Sequence, residues 1–210
     1  VKQTMRFDSE YYKPKYEQII NFLKKLGAKK LNEVVKISNK KVDPTRQPTK
    51  KFKYVELANV NPSTGEIENV DELFGYQAPS RARMFIREGD VLVASLSGSL
   101  DNIGLVTKEL DKQVASTGFF VINSNEFYSE VLFLLFKTEL LKAQLEQKTA
   151  GAIMTPVPKT TFGDLLIPIL PKSKQEKISK LVKESFSLRK ESKELLDKAT
   201  REVENLIEGK

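Results

Sequence analysis

The sequence predicts an α/β (α+β) fold: a globular unit over residues 1–171 with a mixed, twisted β-sheet and flanking helices, then one long helix over 172–210. Three observations predict it. Apolar residues recur at helical spacing near the start of the chain. Short alternating runs bounded by turn residues fill the middle. Residues 173–208 contain neither Pro nor Gly.

The elements follow in order. Residues 8–27 read as an amphipathic helix with Tyr16, Ile19, Ile20, Leu23 and Leu26 on its apolar face. Pro14 suits the first turn, where a missing N–H costs nothing, and Gly27 suits the C-terminal cap. Residues 31–37 form a short alternating apolar piece, and the Lys/Pro/Thr-rich stretch 38–51 reads as an exposed loop. Residues 53–60 alternate as a half-buried strand does, and Asn61-Pro62-Ser63-Thr64-Gly65 ends it in a turn. Glu88-Gly89-Asp90 turns into a strand at 91–96, which Ser97-Gly98-Ser99 breaks. Residues 103–107 and 113–122 read as further strands. Residues 127–147 read as one helix with Val131, Leu134, Leu135 and Leu141 as its buried stripe. Residues 164–170 form a last apolar strand among Pro156, Pro158, Pro168 and Pro171.

Composition narrows the function. The 210 residues suit one or two domains, and 40% are hydrophobic, enough for a real core. The longest apolar cluster, 131–136, falls far short of the ~20 residues of a membrane span. The chain begins at Val1 with no secretory signal there, and it has no Cys, so the expected setting is cytoplasmic. It also has no His. That removes the commonest general base, the commonest metal ligand and every Ser-His or Cys-His nucleophile system. Neither GxxxxGK[ST] nor GxGxxG occurs. Asn61-Pro62-Ser63-Thr64 partly matches the Asn-Pro-Pro-aromatic motif of amino-methyltransferases, but it lacks the second Pro and the aromatic, and it reads as a turn. The spacing of carboxylates such as Asp90 and Asp101 supports no nuclease site. No catalytic residue, no metal site and no cofactor are therefore expected on this chain.

The net charge of +7 is uneven. Residues 1–53 hold 15 Lys/Arg and 5 Asp/Glu, net +10; residues 54–172 hold 10 and 15, net −5; residues 173–210 hold 10 and 8, net +2. A basic lobe points to a polyanion, with a solvated Lys-rich surface as the alternative.

Ser173-Lys174-Gln175-Glu176 matches a capping box, in which Ser and Glu satisfy orphan amides reciprocally. It opens a helix of about 36 residues, some ~54 Å long at the α-helical rise. Ile178, Leu181, Val182, Phe186, Leu188, Leu195, Leu196, Val203, Leu206 and Ile207 form a stripe with a/d-like spacing, interrupted by Ser185, Arg189 and Ser192. One reading packs this helix on its own domain. The preferred reading is a projecting arm that pairs with another helix, because an isolated arm would leave the stripe in water.

Several segments resemble a known family in their order and spacing. Leu31-Asn32-Glu33-Val34-Val35-Lys36-Ile37 is similar to its opening strand. Tyr54-Val55-Glu56-Leu57-Ala58-Asn59-Val60 with Gly65-Glu66-Ile67 resembles its "Tyr-Val-x-Leu-x-Asn-Ile … Gly-x-Ile" segment. Glu88-Gly89-Asp90-Val91-Leu92-Val93-Ala94, with Ser97-Gly98 and Ile103-Gly104, resembles its "x-Gly-Asp-Ile-Leu … Gly … Gly" core. Thr149-Ala150-Gly151-Ala152-Ile153-Met154 lies where the family has a small-residue turn. Leu166-Ile167-Pro168-Ile169-Leu170-Pro171 followed by Gln175-Glu176-Lys177-Ile178 resembles its "Ile-Pro-x-Pro-Pro … Glu-Gln-x-x-Ile" segment, with the Glu-Gln order reversed. The family is that of Type I restriction–modification specificity subunits. Its usual members carry two recognition domains and two spacer helices; this chain resembles a half-length form, with one target-recognition domain (1–171) and one spacer helix (172–210).

The resemblance implies a non-catalytic subunit that binds half of a bipartite site in double-stranded DNA. It implies an antiparallel coiled-coil arm, homodimerisation through the helix, and docking of methyltransferase and restriction subunits. S-adenosylmethionine, ATP and Mg would then belong to those partners. Phosphate contacts are expected from Lys40, Lys41, Arg46, Lys50, Lys51 and Lys53. Base contacts are expected from Gln77, Ser80, Arg81 and Arg83, and from Ser97, Ser99, Asp101 and Asn102, since Arg suits guanine and Asn or Gln suits adenine. Two alternatives stay open: a recognition module cut from a fused restriction–methylation enzyme, and a helix-mediated interaction protein that binds no DNA.

Overall fold

The computed structural model describes residues 9–149 and 156–209. In chain order the elements are α1 (Pro14–Lys25), β1 (Lys29–Lys30), α2 (Leu31–Val34), β2 (Lys36–Ile37), β3 (Lys51–Val55), β4 (Asp71–Phe74), β5 (Ala82–Phe85), β6 (Val91–Ala94), β7 (Ile103–Leu105), β8 (Val114–Ser116), β9 (Phe119–Asn123), α3 (Ser129–Lys137), α4 (Glu139–Thr149), α5 (Lys159–Gly163), β10 (Leu166–Ile167) and α6 (Lys172–Glu208). The expected sheet is divided in two. One four-stranded sheet has the order β2-β9-β6-β7 and is antiparallel; the other, β4-β3-β8-β5, is mixed, because β3 and β8 run parallel. A two-stranded ladder, β1-β10, joins the start of the domain to its end.

The alternation of side chains along a strand explains the layering. In β6, Val91 and Val93 enter a core shared with the helices, while Leu92 and Ala94 enter a second core against the other sheet. In β9, Ile122 joins the first core and Phe119 and Val121 the second. The central strands are thus buried on both faces, which is why they read as continuous apolar runs. Beyond the second sheet, Phe52, Tyr54, Ala82 and Val114 form a third small core, covered by Val42, Leu73 and Ala78. The layers run helices, sheet, sheet, loop.

Several sequence expectations need correction. The piece 31–37 is not one strand: Leu31–Val34 makes a helical turn and only Lys36–Ile37 pairs in a sheet. Residues 53–60 are not one strand either, because a 3-10 turn at Leu57–Asn59 follows β3. Residues 113–122 split at Thr117-Gly118 into strands of different sheets, with the Ser116 hydroxyl accepting the Gly118 amide inside the turn. Residues 127–147 split at Thr138, whose extended backbone ends α3 and whose hydroxyl donates to the Leu135 carbonyl at 2.6 Å. Leu134 is exposed, so the buried stripe of α3 turns instead through Val131, Leu132, Leu135 and Phe136. Leu26 is likewise exposed, and α1 buries only Tyr16 and Leu23. The strand expected at 164–170 shrinks to Leu166–Ile167. The small-residue turn expected at 149–154 lies, but for Thr149, outside the described residues.

The capping box at Ser173 does not form. Pro171 is the N-cap and makes no side-chain cap. Gln175 is instead 1% exposed and ties three segments together. Its Oε1 accepts the Tyr128 amide at 3.2 Å, and its Nε2 donates to the carbonyls of Glu126 at 3.1 Å and Leu170 at 2.8 Å. One turn on, the buried Ser179 hydroxyl donates to Glu130 at 2.8 Å, with the Lys183 ammonium 3.5 Å from the same carboxylate. Gln175 lies three residues before Ile178, the place the family motif gives to its Gln. The real departure from that motif is therefore Lys174, where Glu is expected, rather than a reversed pair.

Candidate nucleic-acid interface

The basic loop, 38–50, is held largely by its backbone. Lys41 forms a β-bridge with Met84, the Lys40 carbonyl accepts the Phe85 amide at 3.1 Å, and the Val42 amide donates to the Arg83 carbonyl at 2.9 Å. Asp43 stabilises the turn Pro44–Arg46 by accepting the Thr45 amide at 3.2 Å and the Thr45 hydroxyl at 2.7 Å. That hydroxyl bond first, with help from the amide and from Arg83 and Arg46, holds the Asp43 carboxyl below its usual range. Farther along, the Lys50 carbonyl accepts the Gly75 amide and the Pro48 carbonyl accepts the Tyr76 amide, docking the turn Gly75–Gln77 on the loop. Only Gly fits at position 75, because a Cβ there would stand 2.2 Å from the Gln47 carbonyl oxygen and 2.4 Å from that of Pro44.

The structure therefore brings Lys40, Lys41, Arg46 and Lys50 together with the segment that carries Gln77, Ser80, Arg81 and Arg83. Not all of the expected residues are equally placed. The Lys51 ammonium lies 3.0 Å from Glu72, and Lys53 is half-buried with its ammonium 3.4 Å from the Glu109 carbonyl, on the side of α6. Arg83 donates to the carbonyls of Pro79 and Ala82 at 3.3 and 2.9 Å and faces Asp43 at 3.6 Å, so its guanidinium braces the loop. Arg81 is exposed, with its carbonyl accepting the Thr117 amide.

The second group, residues 97–102, is a tight turn with bonds from Ser99 N–H to the Leu96 carbonyl and from Asn102 N–H to the Ser99 carbonyl. The Asn102 amide group points inward and donates to the Leu57 carbonyl at 2.7 Å. Asp101 is 2.6 Å from Lys142 on α4, and this contact raises the lysine's pKa. Asn102 and Asp101 thus shape the loop, whereas Ser97 and Ser99 are only partly buried. Two backbone bonds on adjacent residues lead from one group toward the other: Thr117 N–H donates to the Arg81 carbonyl, and the Gly118 carbonyl accepts the Ser95 amide two residues before the turn.

Sequence reasoning passed over Tyr76 and Lys142. Tyr76 is 66% exposed in the turn beside Gln77. The available signal was an aromatic inside a Gly-Tyr-Gln-Ala-Pro turn, where no core position is expected. Lys142 carried no signal, because its partner Asp101 is 41 residues away in the chain.

The long helix divides into two parts. Val182 is buried, and Ile178 and Phe186 pack against the main core, with Phe186 edge-on to Phe133 at 5.9 Å. These three stripe residues belong to the domain, not to a free face. Next comes a groove between α6 and the domain, floored by Ile67, Leu105, Leu110 and Phe186 and crossed by the Lys190–Glu109 contact at 3.2 Å. Leu181, Leu188, Leu195, Leu196, Val203, Leu206 and Ile207 are between 54% and 80% exposed. Among the described residues no helix is long and apolar enough to cross a membrane, and no group of three acidic, His or Cys side chains is arranged to hold a metal ion.

No protein-family model and no curated protein matches this chain. Solved structures do. The HsdS subunit from Thermoanaerobacter tengcongensis is 35% identical, with a TM-score of 0.66 over 85% of this chain. A chain from a structure of the type I R-M system, solved for its complex assembly and conformational transition, is 34% identical with a TM-score of 0.67, again over 85%. The chain belongs to the HsdS specificity-subunit family of type I restriction–modification systems. This HsdS-family chain spans about half the length of both, 46% in each case. Their likeness extends to the mixed α/β architecture with its long C-terminal helix.

Proposed function

We propose that this chain reads one half of a split target in double-stranded DNA for a type I restriction–modification complex. The observation that carries this is the likeness to HsdS, at 34–35% identity over 85% of the chain. The docking of the basic loop 38–50 onto the segment Gln77–Arg83 supports it, because phosphate-binding cations then flank directed donors. The chain itself does no chemistry. Methyltransferase and restriction subunits dock on it and hold S-adenosylmethionine, ATP and Mg; the setting is the cytoplasm. The exposed half of α6 pairs with a second spacer helix in an antiparallel coiled coil, from another copy or another domain.

The test is co-expression with the methyltransferase subunit and mapping of methylated adenines. A bipartite motif supports the proposal, and a palindromic one adds the homodimer. Methylation that does not change when this chain is omitted overturns it.

A further inference from the structure

We propose that Tyr76 makes an aromatic contact with the apolar part of a nucleobase, beside an amide donor from Gln77. This rests on the proposed DNA-reading function and names a residue within it. Tyr76 is 66% exposed, yet it is not loosely held. Its ring stacks on Phe74 with centroids 5.7 Å apart and planes 11° apart. Its backbone amide donates to the Pro48 carbonyl, and Gly75 before it is locked by the approach of two carbonyls that leaves no room for a Cβ.

A rigid, outward aromatic costs solvation free energy and gains nothing from the core, so it suits a surface that meets a flat apolar partner. The surroundings say which one. Lys50 and Arg46 are exposed on the loop that the turn docks against, and the Lys51 ammonium, paired with Glu72 at 3.0 Å, sits 5.4 Å from the Phe74 ring. Cations around a stacked aromatic pair match the phosphates and bases of nucleic acid. Gln77 completes the arrangement. Its Oε1 is fixed by the Phe74 amide at 2.9 Å, and its Nε2 donates to nothing among the described residues. That nitrogen suits the acceptors of the major groove: purine N7, guanine O6 or thymine O4. In duplex DNA the apolar target is either a thymine methyl group or a base face opened by unstacking.

The test uses the assembled complex with its methyltransferase and a duplex bearing the mapped motif. Tyr76→Phe should bind within about twofold of wild type, while Tyr76→Ala should lose about 5- to 150-fold, the worth of one base–aromatic stack. The salt dependence of binding should stay unchanged in both, since no phosphate contact is removed. Uracil in place of thymine locates a methyl contact, and 2-aminopurine fluorescence locates an unstacked base; either signal, lost in Tyr76→Ala, supports the proposal. Equal affinity for wild type and Tyr76→Ala overturns it. So does an equal loss in Tyr76→Phe and Tyr76→Ala, which would assign the role to the hydroxyl. Thermal unfolding of Tyr76→Ala within about 2 °C of wild type separates a lost contact from a lost fold. If the wild-type complex binds its motif no better than random DNA, the function proposed above fails before Tyr76 is tested.

Discussion

The Asp101 carboxylate lies 2.6 Å from the Lys142 ammonium and so ties the turn 97–102 to helix α4. Both side chains are partly solvated, so the pair contributes little to global stability. Lys142→Ala should change the free energy of unfolding by less than about 1 kcal/mol. Its effect should be local instead. Hydrogen exchange at the Asn102 amide, bonded to the Ser99 carbonyl, should quicken in Lys142→Ala, while exchange in β6 stays as it was.

Gln175 predicts a larger effect. Replacing it with Leu removes the partners of one amide and two carbonyls, although the Glu126 carbonyl keeps Lys172 at 2.7 Å. A cost of about 1–3 kcal/mol is expected, because these part-buried groups lose their partners at the one buried polar side chain that joins them. Urea denaturation checks it. An unchanged midpoint would mean that the anchoring of α6 does not depend on this residue.

Asp90 predicts a dependence on pH. Burial is the main influence and pushes its carboxyl above the usual carboxylate range, against bonds from Asn123 and from the Arg87 amide. With the folded pKa above the unfolded one, the folded state binds more protons between them. Stability from this group is therefore fully present below the unfolded value of about 3.9 and declines as pH rises through the folded value. Asp90→Ala should abolish that decline while lowering stability at neutral pH, by leaving the Asn123 and Arg87 donors unpaired. Denaturation at a series of pH values between 3 and 7 reads both.

The far half of α6 makes a test of assembly. Leu195 and Leu196 are 60% and 68% exposed and touch no core. Leu195→Glu with Leu196→Glu should leave the unfolding of the domain unchanged to within about 0.5 kcal/mol. The same pair should abolish dimerisation or methyltransferase docking in sedimentation velocity. Normal assembly of the double variant would refute pairing along this stripe.

Lys50 tests the basic loop. Lys50→Ala should lower the slope of log affinity against log salt by about 1 if its ammonium meets a phosphate. Lys53→Ala should leave that slope unchanged, because its side chain turns toward the Glu109 carbonyl.

Much of this was legible in the sequence. The absence of breakers over 173–208 set the length of α6, since nothing local interrupts its hydrogen-bond ladder. Pro14 and Gly27 marked α1 by chain geometry alone, with Gly27 at φ +69°. What failed were breaks made by single side chains. Thr138 splits a helix and Thr117-Gly118 moves a strand between sheets, and neither carries a Pro to announce it. Within the site, the basic loop was visible as composition, but Lys53 and Asn102 were not separable from their neighbours. Their side chains turn toward Glu109 and Leu57, which are far away in sequence. The apolar stripe of α6 had the same defect: spacing alone does not show that Val182 faces its own domain and Leu195 does not.

The buried contacts at the root of α6 act as the mounting of a lever. From Val182, the last buried residue, to Glu208 the helix runs about 39 Å at 1.5 Å per residue. A tilt of about 5° at the root would carry the far end roughly 3 Å sideways, several times the 0.5–1 Å gap that already forfeits a quarter to a half of a dispersion contact. The directed bonds of Gln175 and Ser179 oppose such a tilt at the root, because hydrogen bonds weaken steeply away from their preferred angle. An error too small to notice in the domain would be enough to unseat whatever lies against Leu206 and Ile207.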